Sequence, residues 1–172
     1  MVAKDIRTFQ RRTEQMKESV NLTKHFVATG FVMNLDHSKM LMVHHKKLNK
    51  WAAPGGHVEA DETPAETALR EIREETGVKA FILDRQNAEL CPKTGTESQL
   101  EMPYVMLSEY VPEHGVVKAH VHLDFVFLCE ADENDQISQQ KAEVHDVKWM
   151  TWQEIIDCNT FDSIKTFAKN MK

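Results

Sequence analysis

The most informative part of this chain is residues 55–78, which read GGHVEADETPAETALREIREETGV. Thr63 is a typical helix N-cap, Pro64 suits the first helical position, and Glu66 completes a capping box with Thr63. Gly77 is typical of the residue that ends a helix. The stretch therefore predicts a helix of about thirteen residues that begins at Thr63 and stops at Gly77.

The predicted helix has an apolar face and an acidic face. Its apolar side chains recur at helical spacing: Ala65, Ala68, Leu69 and Ile72. Its acids, Glu71, Glu74 and Glu75, repel one another, and Arg70 offers a single positive charge against them. A hard divalent cation, Mg²⁺ or Mn²⁺, is the better counter-charge, because such ions bind carboxylates and substrate phosphates together. A solvated acidic surface with ordinary ion pairs is the alternative.

The order of the residues favours the metal site. Gly56 is followed after five residues by Glu62 and, seven residues later, by REIREETGV at residues 70–78. This resembles the signature of the Nudix hydrolases, G-x5-E-x7-R-E-U-x-E-E-x-G-U with U bulky and apolar, at every specified position. A chance match is rarer than roughly one in 10⁸ per start position on typical residue frequencies.

The resemblance implies a metal-dependent pyrophosphohydrolase that cleaves a diphosphate linkage in a nucleoside diphosphate derivative by attack of water at phosphorus. A nucleotide, a nucleotide sugar or a dinucleoside polyphosphate would each fit as the small-molecule substrate. Two alternatives remain. A nucleotide or ADP-ribose sensor would bind without hydrolysis, which the complete signature argues against. An isomerase of allylic diphosphates relies on a cysteine motif that this chain lacks.

The resemblance also implies roles for individual residues of the signature. Glu74 and Glu75 would bind Mg²⁺ or Mn²⁺, and Glu71 would bind metal or act as the general base. The backbone carbonyl of Gly55 would add a metal ligand. Arg70 would orient a carboxylate and complete the catalytic set.

Outside the signature, four polar residues are candidates for the site. Glu143 precedes a predicted strand and resembles the distal metal-binding glutamate of many relatives, with a solvated loop acid as the equal alternative. His120, His122 and Asp124 alternate along a predicted strand, so their side chains point to one face. They are candidates for lining a metal or substrate pocket, although a polar sheet face would explain the same pattern.

A β-hairpin is predicted upstream of the signature, from residues 25–35 and 39–45, which are rich in β-branched and aromatic side chains. His44, Lys46 and Trp51 lie at or just after its end. They could contact phosphates and stack on a base, whereas a charged hairpin tip would explain them without a ligand.

The remaining pattern predicts strands on the C-terminal side of the signature, followed by helices. The predicted strands are residues 78–83, 104–111, 120–129 and 147–150, and the predicted helices are residues 152–158 and 161–169. Residues 84–99 are predicted to form a loop or an irregular hairpin, and residues 130–135 are a predicted loop. Helices on both sides of these strands favour an α/β fold, and the resemblance makes it the Nudix fold, an α/β/α sandwich with a mixed sheet.

Composition sets the outer limits. A chain of 172 residues with 41% hydrophobic content allows one full-sized core. Its net charge of −6 argues against a broad surface for duplex nucleic acid. Without a long apolar run or a signal-peptide pattern, we expect a cytoplasmic protein and no membrane partner. Residues 1–20 predict an amphipathic helix ahead of a Nudix domain at residues 21–172, and this helix leaves a homodimer open.

Overall fold

The computed structural model describes residues 21–83, 98–138 and 144–172. The predicted N-terminal helix, most of the predicted loop at residues 84–99, and Glu143 lie outside these ranges. The strands are β1 (Lys24–Asn34), β2 (Lys39–His45), β3 (Lys50–Ala52), β4 (Gly55–His57), β5 (Phe81–Ile82), β6 (Val105–Val111), β7 (His120–Ala131) and β8 (Val144–Thr151). The helices are α1 (Pro64–Thr76), α2 (Trp152–Asp157) and α3 (Asp162–Met171). Within the described ranges, no helix has the length and apolar content to cross a membrane.

One mixed sheet contains the described strands. Its order is β3-β2-β1-β7-β5, with β4 beside β1, β6 beside β7 and β8 beside β2. The central pair, β1 and β7, is parallel from Lys24 opposite Val121 to Asn34 opposite Ala131. The other pairs are antiparallel. The predicted mixed sheet is therefore confirmed.

Helices cover both faces of the sheet. Ala68 and Ile72 of α1 pack into one apolar core with Ala28 and Phe127 of the sheet. On the opposite face, the two C-terminal helices close a second core, whose helical members include Ile155, Ile164 and Phe167. This arrangement confirms the α/β/α sandwich.

The ends of α1 follow the local sequence. The Thr63 hydroxyl accepts a hydrogen bond from the Glu66 backbone N–H at 3.3 Å, and the Glu66 carboxylate accepts one from the Thr63 N–H at 2.8 Å. Gly77 adopts a left-handed conformation, with φ of 76°, and its N–H donates to the Arg73 carbonyl at 2.8 Å. Both predicted helix ends are confirmed, because each depends on residues within one turn.

Two predicted strands have different lengths in the structure. The strand predicted at residues 78–83 is reduced to β5, because the Val78 N–H donates to the Thr76 hydroxyl at 3.1 Å instead of to a neighbouring strand. The strand predicted at residues 147–150 extends to the full length of β8, because β2 offers partners from Lys39 to His45.

The loop predicted at residues 130–135 begins too early. Glu130 and Ala131 belong to β7, because the parallel partner β1 continues to Asn34 and supplies ladder contacts as far as Ala131. The extension also allows β5 to pair with β7, with Phe81 opposite Glu130.

Candidate active site

Two glycines bring the loop before α1 against the helix. Gly55 and Gly56 belong to β4 and pair with Thr29 and Ala28 of β1. A Cβ atom at Gly56 would lie only 2.1 Å from Oε1 of Glu71. Glycine at this position is therefore what allows the Glu71 carboxylate to lie against the backbone.

The three signature glutamates of α1 lie in different environments. The side chains of Glu71 and Glu74 are 14% and 47% exposed, whereas Glu75 is only 3% exposed. The prediction of one acidic face apart from the core is wrong for Glu75, which lies three residues after Ile72 and seven after Ala68, on the buried stripe. A buried carboxylate requires donors or a cation. The Gly55 N–H supplies one donor, 3.2 Å from Glu75 Oε2.

Arg70 connects the loop to the acidic part of the helix. Its Nε and Nη2 atoms donate to the two oxygens of Glu62 at 2.7 and 3.0 Å. Its Nη1 atom donates to Glu71 at 2.8 Å and to Glu74 at 3.2 Å, and Nη2 also reaches the His57 carbonyl at 3.3 Å. The hydrogen bonds from Arg70 lower the pKa of Glu62 to about 2. The carboxylates of Glu62 and Glu71 in turn raise the pKa of Arg70.

A cavity of about 90 Å³ lies on the opposite face of the sheet, between the central strands and α3. Its polar lining includes Thr29, Glu109 and Asp124, and its apolar lining includes Phe31, Leu107, Val126 and Ile164. Asp124 is 5% exposed and accepts a hydrogen bond from the Thr29 hydroxyl on Oδ2 at 3.0 Å. Within the described residues, its Oδ1 atom is buried without a hydrogen-bond partner.

The two carboxyl groups of this cavity resist ionisation. Burial, reinforced by the negative charge of Glu109, raises the pKa of Asp124 to about 7. Burial also raises the pKa of Glu109. Asp124 can therefore carry a proton near neutral pH, and its carboxyl group can donate or accept a hydrogen bond from a ligand.

Four histidines converge beside this cavity. The sequence predicted that His120 and His122 share a face, and the structure adds His25 from β1 and His57 from β4. His25 Nδ1 lies 3.3 Å from His57 Nε2, and His120 Nε2 lies 3.1 Å from His122 Nε2. Burial, with smaller effects from the neighbouring histidines, lowers the pKa of His122 to about 4 and also lowers that of His57.

Residues 24–169 match the family described as NUDIX domain. This chain belongs to the Nudix family. A Lactococcus lactis protein named "Probable DHNTP pyrophosphohydrolase" is 27% identical over 132 residues, which are 77% of this chain and 69% of that protein. Nudix hydrolase 6 of Arabidopsis thaliana is 28% identical over 140 residues, which are 77% of this chain but only 41% of the plant protein.

A solved structure agrees with the Nudix assignment. A Nudix-family hydrolase from Clostridium perfringens superposes with a TM-score of 0.71 and 25% sequence identity, covering 87% of this chain and 97% of that one. The predicted family and fold are therefore confirmed. The chain is a Nudix-type pyrophosphohydrolase, and diphosphate hydrolysis is its general chemistry.

The oxygen atoms around α1 suit the divalent metal that Nudix hydrolases use. Glu71, Glu74 and Glu75 carry three negative charges, and the Arg70 guanidinium that contacts two of them is also shared with Glu62. Such a set has more carboxylate oxygens than the guanidinium can neutralise, and oxygen atoms of this kind are the ligands that hard cations prefer. The four signature residues Arg70, Glu71, Glu74 and Glu75 thus lie together, and the strand position of Gly55 places its backbone beside them.

Two of the three candidates near the hairpin, His44 and Trp51, lie against each other. The His44 ring meets the Trp51 ring edge-on, with 5.1 Å between centroids, and His145 of β8 lies 5.6 Å from His44. Lys46 follows β2 in a turn. None of the three predicted residues is among those that line the cavity of Asp124. Their role in substrate binding stays a prediction.

Sequence reasoning missed His25, His57, Thr29 and Glu109. The two histidines had no pattern of their own, since they lie 32 residues apart in the chain. Thr29 and Glu109 meet Asp124 only through the pairing of β7 with β1 and β6. The one available signal was the alternation of His120, His122 and Asp124, which marked the face but not its other members.

Replacing Asp124 by Asn should stabilise the folded protein at pH 8 by an amount on the order of 3 kcal/mol. The carboxyl group has a raised pKa in the folded state, about 7 against a usual 3.8, so the folded state retains a proton that the unfolded state releases. The contribution of Asp124 to wild-type stability should therefore fall as pH rises from about 4 to about 7, and the advantage of Asp124→Asn over wild type should grow over the same range. Chemical unfolding between pH 4 and pH 8 measures this change.

The exposed Asp135 gives the matched control for that experiment. Asp135→Asn removes a carboxylate from a loop and should follow the wild-type stability profile. An Asp124→Asn protein whose advantage over wild type is the same at pH 4 and pH 8 would show that Asp124 does not titrate as described.

Proposed function

We propose that this Nudix enzyme hydrolyses a nucleoside diphosphate derivative with Mg²⁺ bound by Glu71, Glu74, Glu75 and the Gly55 carbonyl, and that Mn²⁺ can replace Mg²⁺. The observation that carries this proposal is the position of Gly55. Its N–H reaches Glu75 on one face of the sheet, and a Cβ at Gly55 would lie 2.8 Å from the Thr29 hydroxyl. That hydroxyl donates to Asp124 in the cavity on the other face.

The residues around α1 would then have different roles in the reaction. A divalent ion held by the carboxylates would neutralise the diphosphate and lower the pKa of a bound water. Arg70 fixes Glu71 and Glu74 through its Nη1 atom, so these carboxylates keep their orientation as the reaction proceeds. Glu71, whose Oε1 lies where a Gly56 side chain would be, is the proposed general base or a further metal ligand.

The cavity would take the ring of the substrate. Its apolar walls suit a planar heterocycle, and the Asp124 and Glu109 carboxyl groups can bond to N–H and acceptor atoms on the ring edge. At about 90 Å³ it is smaller than a pocket for a whole drug-sized ligand, so it accounts for part of the substrate. The phosphates would extend past Gly55 toward α1.

Product release from a panel of compounds tests the proposal. The panel contains nucleoside triphosphates, oxidised nucleoside triphosphates, ADP-ribose, dinucleoside polyphosphates and DHNTP, the compound in the name of the Lactococcus relative, each with Mg²⁺ or Mn²⁺. Metal-dependent turnover of one class, lost when Asp124 is replaced by Leu but not in an Asp135→Asn control, supports the proposal. Binding of a nucleotide without turnover of any compound would favour a sensor instead.

A further inference from the structure

We propose that His25, His57, His120 and His122 form a binding site for a zinc-class transition-metal ion, separate from the carboxylate site on α1. The site would take Zn²⁺, or ions such as Co²⁺, Ni²⁺ and Cu²⁺ that also bind imidazole well. It rests on the positions of the ring nitrogens and does not depend on the identity of the diphosphate substrate.

The spacing of the ring nitrogens matches a tetrahedral site. Two nitrogens that each lie about 2.05 Å from one zinc ion in tetrahedral geometry are about 3.3 Å apart. The His25 and His57 nitrogens are 3.3 Å apart, and those of His120 and His122 are 3.1 Å apart. One ring nitrogen from each of His25, His57 and His122 lies within 4.8 Å of the others. Side-chain rotations that close a gap of up to about 1.5 Å would bring these three nitrogens onto one ion, and His120, which lies against His122, is the candidate fourth ligand.

His120 is already oriented as a metal ligand would be. Its Nδ1 atom lies 2.9 Å from the Lys118 carbonyl, and a backbone carbonyl can only accept, so Nδ1 carries the proton. Its Nε2 atom then carries the electron pair that a metal would bind, and it lies 3.1 Å from His122 Nε2. Metal-binding histidines usually donate their second ring N–H to a carbonyl or carboxylate in this way.

The site lies on the face of the sheet opposite the carboxylates. Side chains alternate along a strand, so Gly56 faces Glu71 and the neighbouring His57 points to the other face. His25 and His122 are paired across β1 and β7 and share that face. Oxygen ligands on one side and nitrogen ligands on the other separate a hard cation from a zinc-class cation, so both could be bound at once.

The cation would stand at the edge of the cavity. His122 precedes Asp124 by two residues on β7, which places it one side chain away on the same face. Glu109 lies opposite His122 on β6. The two carboxyl groups that line the cavity would thus lie beside the bound ion, whose positive charge would favour their ionised forms.

Direct metal binding tests the site without any substrate. Chelator-treated full-length protein is titrated with Zn²⁺ against a chromophoric chelator in excess Mg²⁺, and with Co²⁺, whose visible absorption reports a tetrahedral nitrogen environment. We expect one bound Zn²⁺ per chain. Replacement of His122 or His57 by Gln should weaken Zn²⁺ binding by at least roughly 10- to 100-fold.

Three controls identify the source of any binding. His114→Gln removes an exposed imidazole that is not one of the four proposed ligands and should bind Zn²⁺ as wild type does, as should Glu75→Gln. His57 is itself exposed, so its replacement should leave thermal unfolding unchanged. The proposal is overturned if wild type binds no Zn²⁺ in excess Mg²⁺, if the His57 and His122 variants bind it normally, or if Glu75→Gln abolishes it.

Discussion

Replacing Glu75 by Gln is expected to lower turnover in Mg²⁺ by more than about 100-fold, because the loss of even an outer-shell partner of a metal ligand costs 10- to 100-fold. Glu75 is the most buried of the three signature glutamates of α1, and Gln has nearly the same shape. A Gln oxygen can still accept from the Gly55 N–H, as the Glu75 carboxylate does at 3.2 Å. What the variant loses is the negative charge that is proposed to hold the cation.

Turnover and thermal unfolding should therefore separate in this variant. The fold should stay intact, and its stability without metal should match or exceed that of wild type, because one of three repelling charges is gone. Glu59→Gln is the matched control, since Glu59 is an exposed acid of the preceding loop. Turnover of Glu75→Gln within a few-fold of wild type would remove Glu75 from the metal site.

Replacing Arg70 by Lys is expected to lower both stability and turnover, although the charge is kept. A lysine ammonium cannot reproduce the paired bonds of 2.7 and 3.0 Å to the two oxygens of Glu62 while also reaching Glu71. The loss of charged hydrogen bonds around the half-buried Glu62 should cost on the order of 2 kcal/mol of unfolding free energy. Turnover should fall at least about tenfold, because Glu71 and Glu74 lose a fixed orientation.

The acid limb of the stability profile gives a second readout for Arg70. The pKa of Glu62 is lowered from 4.5 to about 2 in the folded protein, so its contribution is present above pH 4.5 and is lost as pH falls toward 2. The Arg70→Lys protein should therefore lose less stability over this range than wild type. Arg73→Lys, an exposed change on the same helix, is the control. Equal acid limbs in Arg70→Lys and wild type would contradict the assigned role of Arg70.

Local patterns account for the parts of the fold that the sequence could predict. The ends of α1 depend on Thr63, Glu66 and Gly77, whose hydrogen bonds all lie within one turn. The signature residues Arg70 and Glu71 are neighbours on the same helix, so their proximity was also encoded locally. The helix α1 and the cluster of carboxylates on it could therefore both be predicted from the sequence.

Long-range pairing determines what the sequence could not show. Thr29 and Asp124 are 95 residues apart, and they meet only because β1 and β7 lie parallel with Val27 opposite Asp124. The same register places His25 opposite His122. Burial of Glu75 likewise depends on how α1 turns toward the sheet, which the acidic spacing alone did not reveal. Residue types indicated the kind of chemistry at the site, but the register of β1 and β7 determines which side chains contact one another there.

Transfer of a solvent oxygen to the product tests directly whether water attacks phosphorus with the help of the α1 carboxylates. The substrate of the panel that wild type hydrolyses fastest is incubated in ¹⁸O-labelled water and Mg²⁺ with wild type and, in parallel, with the Glu74→Gln variant. The masses of the two phosphorus-containing products are then measured by mass spectrometry. We expect one labelled oxygen in one of the products, formed rapidly by wild type and at least about 100-fold more slowly by the variant. Equal rates for the two proteins, or bound nucleotide with no labelled product, would contradict it.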